Sequence, residues 1–375
     1  MKSRSILAVI LALAIAFGVY VFLGTREDNS RGMVTLWYEK ESPLSDEIEK
    51  LAASYNSDME RETLPVETKC FATEEELAEA YETGTPDILV CSHLRAFSLY
   101  RREKLADISG EETFVPPAYP KSLQSRNSSI GSSFFPLGIS VPLLVINNSL
   151  ISQRSFASFE EVFSAASDYT RKTGKPFFAC DSASELYYLY LLRFGVEFNG
   201  NYDEINSTDQ FLDLYNTFAE SAFEGSFSGV GEDGIRYLVN DALPCVFTSS
   251  DKLRGLDPDK ITVCTIPAPE GSANIDTVGT AYGFAVTNGG CRSKGDTAAF
   301  ISWVFSEKRS AQSALACMLA PSTAGGGAPA GSVEALLNDT VKNVLVSLPA
   351  PDSDFIANKA DFEESFLEEI GRLMP

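Results

Sequence analysis

Between residues 33 and 90 the chain switches repeatedly between two periodicities, and that alternation constrains the fold more than any other feature. Met33-Val34-Thr35-Leu36-Trp37 is a short continuous apolar run of the kind that fills a buried strand. Pro43, Ser45 and Asp46 then open a helix on which Leu44, Ile48, Leu51, Ala52 and Tyr55 share one face. The pattern predicts a second strand over 64–69, a second helix over 73–81 and a third strand over 87–90. Thr73 with Glu76 is a capping box, and Glu74 and Glu75 place negative charge at the positive end of that helix. A β-α-β-α-β run implies parallel strands covered by helices, because a parallel connection has to cross over the sheet. Ligands of such sheets meet the loops beyond the carboxyl ends of the strands.

A second set of elements follows a Pro-, Gly- and Ser-rich crossing at 134–142. Strands are expected over 143–146, 177–180, 242–248, 261–266 and 281–287, and helices over 158–171, 184–194, 209–222 and 297–318. The Gly-rich stretch 323–331 reads as a loop; it lacks the Lys, the preceding strand and the Gly-Lys-Ser/Thr ending of a phosphate cradle. No internal repeat is legible. A chain of 375 residues suits two domains of roughly 150 to 200 residues.

Ahead of this pattern, Lys2 and Arg4 precede an uncharged apolar run over 6–24. The run exceeds the ~7–15 residues of a signal-peptide core, and Phe22-Leu23-Gly24 is a poor cleavage site, so an uncleaved membrane anchor is expected. Its basic start places that end in the cytoplasm and everything after Thr25 outside, giving an exported domain tethered by residues 6–24. Seven Cys, an odd number with no Cys-x-x-Cys, read as free thiols used as small hydrophobes.

Charge narrows the function. With 30 basic and 52 acidic residues the net charge is −22, which repels a phosphate backbone and excludes nucleic acid as a partner. One His leaves no multi-His metal site, and Asp257-Pro258-Asp259 lacks the spacing of a calcium loop, so neither a metal nor a cofactor is expected. A Ser-His-Asp hydrolase would have to use His93 and would lack its Gly-x-Ser-x-Gly elbow. A glycoside hydrolase needs only two carboxylates, and nothing singles a pair out among 52 acids.

Several stretches, in order, resemble the extracellular solute-binding proteins of bacterial ABC importers, in the carbohydrate-binding family of the maltose-binding proteins. They are Val34-Thr35-Leu36-Trp37-Tyr38 with the helix after it, Gly84-Thr85-Pro86-Asp87-Ile88-Leu89, Lys104-Leu105-Ala106-Asp107-Ile108, the crossing from Phe135 to Leu150, Tyr282-Gly283-Phe284-Ala285-Val286, and Ala298-Ala299-Phe300-Ile301-Ser302-Trp303. The resemblance implies an α/β, periplasmic-binding-protein-like fold: two α/β lobes joined by a multi-strand hinge, with the ligand cleft between them. It implies a signal, anchor and linker over 1–32, a first lobe from 33–138 and 268–320, and a second from 139–267 and 321–375. It further implies a monomeric, non-enzymatic receptor that captures a sugar by hinge closure and delivers it to the membrane subunits of an ABC importer. Cys91 and Leu94 stand where maltose binders carry a sugar-holding aromatic and carboxylate, so maltodextrin itself is not carried over.

A sugar cleft needs flat aromatic faces for C–H surfaces and carboxylates, amides and hydroxyls for OH groups. Polar and aromatic residues at strand ends are therefore the candidates: Trp37, Tyr38, Glu39, Ser92, His93, Arg95 and Tyr282 from the first lobe, and Asp181, Ser182, Glu185, Ser249, Ser250 and Asp251 from the second. Packing competes with binding at Trp37, and it is the expected role of Trp303 and of Tyr187, Tyr188 and Tyr190. Glu363, Glu364, Glu368 and Glu369 read as a solvated helix face. The same fold could instead hold a polyamine, a metal complex or an oligopeptide, or serve as a tethered sensor.

Overall fold

The computed structural model describes residues 32–58, 63–117, 131–196, 206–230, 234–272, 277–289, 294–306, 331–341, 344–345 and 355–374. The apolar run 6–24 and the end of the expected helix 297–318 lie outside these, as do Cys291 and Cys317. Among the described residues no helix is long and apolar enough to cross a membrane.

The expected β-α-β-α-β run is present as β1 (Val34–Glu39), α1 (Ser45–Asp58), β2 (Val66–Phe71), α2 (Glu74–Thr83) and β3 (Ile88–Ser92), followed directly by α3 (His93–Arg101). Thr73 caps α2 as expected, the Glu76 N–H donating to its Oγ1 at 3.3 Å, while the returning Glu76 carboxylate accepts from the Ala72 N–H at 3.0 Å, one residue before the cap. Asp87 ties the first and third strands, its Oδ2 accepting from both the N–H and the hydroxyl of Thr35 at 2.8 Å. With β4 (Phe134–Ser140) and β11 (Thr280–Val286) these strands make a five-stranded sheet in the order β2-β1-β3-β11-β4. β11 runs antiparallel to both its neighbours.

β4 was expected only as a crossing. Its Pro136 and Gly138 argue against a central strand, but β4 is an edge strand, where a missing N–H costs no ladder bond. It ends at Ser140 and β5 (Pro142–Asn147) begins two residues later, so the chain passes from one sheet to the other at Val141. That passage is clamped. The Val141 N–H donates to Ser250 Oγ at 3.1 Å, and the Ser250 N–H returns to the Val141 carbonyl at 2.9 Å. Nearby, β10 (Thr277–Val278) pairs in parallel with β12 (Val344–Leu345) just before β11 re-enters the first sheet.

The second sheet has the order β7-β6-β8-β5-β9, built from β6 (Phe178–Cys180), β7 (Phe227–Val230), β8 (Cys245–Ser249) and β9 (Ile261–Thr265) around β5. β6 is parallel to β7 and β8, and β5 is antiparallel to β8 and β9, the same plan as the first sheet. Both faces are covered. In β5, Leu143 and Val145 point to one apolar cluster and Leu144 and Ile146 to another, all fully buried. The helices α4 (Phe159–Thr173), α5 (Ala183–Arg193) and α6 (Asp209–Phe223) cover one face, and the short α7 (Gly234–Val239) and α9 (Val333–Thr340) the other. In the first lobe α1 and α8 (Lys294–Val304) cover one face of the sheet, with α2 and α3 on the other.

Tyr187 is fully buried among the rings of Phe211, Phe362 and Phe366 at centroid distances of 4.9, 5.1 and 5.5 Å, which is its expected packing role. Cys180 and Cys245 are buried in the same cluster, and the described cysteines are free. The C-terminal helix α10 (Phe355–Gly371) lies against α5 and α6 and also meets α3 of the first lobe. It corrects one expectation: Glu363 is not on a solvated face. Its carboxylate accepts from the Ser182 hydroxyl at 2.8 Å and from the N–H groups of Ala183 and Ser184 at 3.0 and 2.7 Å. These are orphan donors at the positive end of α5, which a carboxylate satisfies better than water does.

Candidate ligand cleft

The carboxyl ends of β1 and β3 and the adjoining start of β11 open onto a cavity of ≈ 290 Å³. Glu39 is the last residue of β1, and the chain turns through Glu41, Ser42 and Pro43 into α1 along one wall. Ser92 ends β3 and caps α3, its Oγ accepting from the Arg95 N–H at 3.3 Å; this orients the first turn of α3 so that Arg95 faces the cavity. The Arg95 guanidinium is held by Glu74 from the first turn of α2, which also lines the space. Tyr282 lies opposite Ser92 in the β3/β11 ladder, with Thr280 beside it on the same wall.

The structure thus brings together Glu39, Ser92, Arg95 and Tyr282 of the sequence candidates. It adds Glu41, Ser42, Glu74 and Thr280, which sequence reasoning passed over. Glu74 had a sufficient local explanation as a helix-start acid, and Glu41 and Ser42 follow the strand end by two and three residues, where a strand-end rule stops looking.

The remaining candidates do not line this cavity. Tyr38 is 2% exposed, and its hydroxyl donates to Glu49 Oε1 at 2.6 Å under α1. Trp37 points to the other face of β1, its ring 5.1 Å from that of Phe71 and 4.9 Å from Lys69 Nζ. His93 is 2% exposed and accepts the Ala281 N–H on Nδ1 at 3.1 Å, fastening β11 to α3. In the second lobe, buried Asp181 accepts from the Thr248 hydroxyl and has Lys252 Nζ at 3.9 Å. Ser182 bonds Glu363, Ser250 clamps the crossing, and Asp251 accepts from the Ser140 hydroxyl. Ser249 is half-buried at the start of the 3-10 turn Ser250–Leu253, and Glu185 sits in the first turn of α5.

The cavity is electronegative. Its acids Glu39, Glu41 and Glu74 face one guanidinium, that of Arg95. Burial, and then the charges of Glu74 and Glu41, push the Glu39 carboxyl above its usual value against the opposing pull of Arg95. Burial likewise pushes the Tyr282 phenol up, helped by Asp251 and Glu185 from the second lobe and Glu39 and Glu74 from the first. The Cys91 thiol on the wall is pushed up to about 12 by burial, which disfavours its thiolate.

A pH prediction follows for Glu39. A carboxyl with a raised folded-state value costs stability once ionised, so the penalty is full above that value and gone below the unfolded value of about 4.3. Glu39→Gln is therefore expected to raise the melting temperature at pH 7, with the gain shrinking as pH falls toward 4. A gain that persisted or grew at pH 4 would contradict the assignment.

No protein-family model matches the sequence, and no curated protein matches it either. Solved structures do. The chain is similar to a cyclic alpha-maltosyl-1,6-maltose binding protein from Arthrobacter globiformis, with TM-score 0.68 and 14% identity over 91% of this chain and 94% of that one. It is similar to the GacH receptor of Streptomyces glaucescens, solved unliganded and with acarbose, with TM-score 0.66 and 14% identity over 90% and 99%. It is also similar to the spermidine/putrescine ABC transporter substrate-binding protein PotD from Streptococcus pneumoniae, with TM-score 0.64 and 14% identity over 90% and 99%. At these identities the likeness is one of fold: the chain has the two-lobed α/β fold of periplasmic binding proteins.

Proposed function

We propose that this chain is an extracytoplasmic receptor that captures a carbohydrate between its two lobes by hinge closure, without turning it over, and delivers it to the membrane subunits of an ABC importer. The observation that carries the reading is the cavity at the strand ends. There an aromatic ring (Tyr282), carboxylates (Glu39, Glu74), a guanidinium (Arg95) and a hydroxyl (Ser92) converge, the mixture a sugar's C–H faces and hydroxyls require. The crossing at Val141 supplies a short connection about which the lobes could close. Of the similar folds, one is solved in complex with acarbose and another is described as binding cyclic alpha-maltosyl-1,6-maltose. On this reading the protein is an exported monomer, tethered by residues 6–24.

A second reading, a polyamine in the same cleft, is favoured by the excess of carboxylates over Arg95 and by the fold's likeness to PotD. A thermal-shift panel of sugars, amino acids, polyamines and divalent metals separates the two. A sugar at about 100 times its Kd is expected to stabilise by about 2.7 kcal/mol, which for a protein of this size raises the melting temperature by roughly 3–4 °C. Stabilisation by polyamines alone would replace the first reading with the second, and release of product from any glycoside would remove the claim of no turnover.

A further inference from the structure

Arg254 directly follows the 3-10 turn that ends β8, so it belongs to the second lobe. Its side chain reaches the first lobe. Nη1 lies 2.8 Å from Asp46 Oδ2, and Nη2 lies 3.0 Å from Glu47 Oε1. The two carboxylates occupy the first turn of α1, immediately after Glu41, Ser42 and Pro43 on the cavity wall. The guanidinium fork therefore joins the lobes at the rim of the cleft, through residues 208 positions apart in sequence. Nothing in α1 requires the Arg: Asp46 and Glu47 already suit the positive end of that helix, and Lys50 lies 3.3 Å from Glu47. What Arg254 adds is a charge that is permanently on, in a geometry that grips two acids at once.

We infer that the Arg254 fork on Asp46 and Glu47 is a salt-sensitive latch that draws the lobes together whether or not a ligand is present. The inference rests on the reading that the lobes open and close about the Val141 crossing. The partners are partly solvated, Arg254 being 43% and Asp46 67% exposed, so the latch is screened by salt and biases the equilibrium without locking it. Two such pairs shift the ratio of closed to open forms by roughly two- to thirtyfold. Affinity falls by as much as the closed fraction is lowered when the latch is lost.

Ligand-free full-length protein measured by small-angle X-ray scattering tests this directly. Arg254→Glu places three carboxylates together and is expected to enlarge the radius of gyration at about 20 mM salt, where the Debye length exceeds ~20 Å. Wild type should expand as salt approaches 1 M, whereas the variant, whose repulsion is itself screened, should contract slightly toward the same high-salt value. Arg254→Gln, which removes the charge without adding repulsion, should lose the salt response. Arg254→Glu combined with Asp46→Lys and Glu47→Lys should restore the compact form. An unchanged radius and an unchanged salt response in both single variants would overturn the latch. No ligand enters the measurement, so a failed sugar panel leaves its outcome standing, and a sugar that binds wild type leaves the latch free to fail alone.

Discussion

Replacing Gly283 with alanine is expected to cost at least about 3 kcal/mol of stability and to weaken ligand binding together with it. A Cβ at this position would lie 2.1 Å from the Phe135 carbonyl oxygen and 2.7 Å from Pro136 Cα, both backbone atoms that cannot rotate aside. The register of β11 against β4 shifts between Tyr282 and Gly283, Tyr282 opposing Gly138 and Gly283 opposing Pro136, so Leu137 is the extra residue of a bulge. Glycine is therefore required for close approach of two strands, and a methyl group would push β4 away from β11 along the edge that leads to the Val141 crossing. The neighbouring Tyr282 would move with the strand, which couples the stability loss to the cleft. Urea denaturation would show a lowered midpoint; Gly110→Ala, where a Cβ meets nothing within 4 Å, is the control and should change little. A Gly283→Ala protein as stable as the control would mean that the two strands are not this close.

The elements that sequence reveals best are those whose signal is local. Strand and helix periods alternate cleanly through the first lobe, and the Thr73 cap forms where it is expected. Three kinds of feature escape such reading. α3 begins without a loop after β3, so its start is hidden in the strand's last residue, Ser92, which serves both elements. β4 is disguised by Pro136 and Gly138, whose tolerance depends on its place at a sheet edge. The shared plan of the two sheets is invisible as a repeat, because in the first sheet the antiparallel strand β11 arrives last in the chain and in the second the antiparallel strand β5 arrives first.

The cleft was legible to the same depth. Strand-end logic finds Glu39 and Ser92, and the Tyr-Gly pair points to Tyr282. It cannot tell an end that faces a ligand from one that the protein consumes. Ser182 is engaged by Glu363, 181 residues away, Asp251 by Ser140, 111 residues away, and Ser250 by Val141, 109 residues away. Only the assembled fold reveals those partners.

The sharpest separation of packing from binding comes from two aromatic substitutions. Trp37→Ala is expected to cost about 3 kcal/mol of stability while leaving the affinity of the folded protein within about threefold of wild type. Trp37 packs against the cluster that holds Phe71, Leu77, Leu89 and Cys91, with Lys69 over its ring; it stands behind the cavity wall that Leu77 and Cys91 form and does not itself line the cavity. Tyr38, its neighbour on β1, is buried on the opposite face, so the pair illustrates a sheet covered on both sides, where an aromatic at either parity is core. Tyr282→Ala is expected to do the reverse. Its ring lines the cavity and is half-buried, so truncation should weaken binding by roughly 10- to 100-fold, in the range of an interface aromatic, with a smaller loss of stability. Urea denaturation and calorimetric titration with the sugar that stabilises wild type supply both axes for both variants. If Trp37→Ala lost affinity and kept its stability, the ligand surface would lie on the α2 face of β1, and the cavity at Tyr282 would have to be a neighbouring solvent pocket.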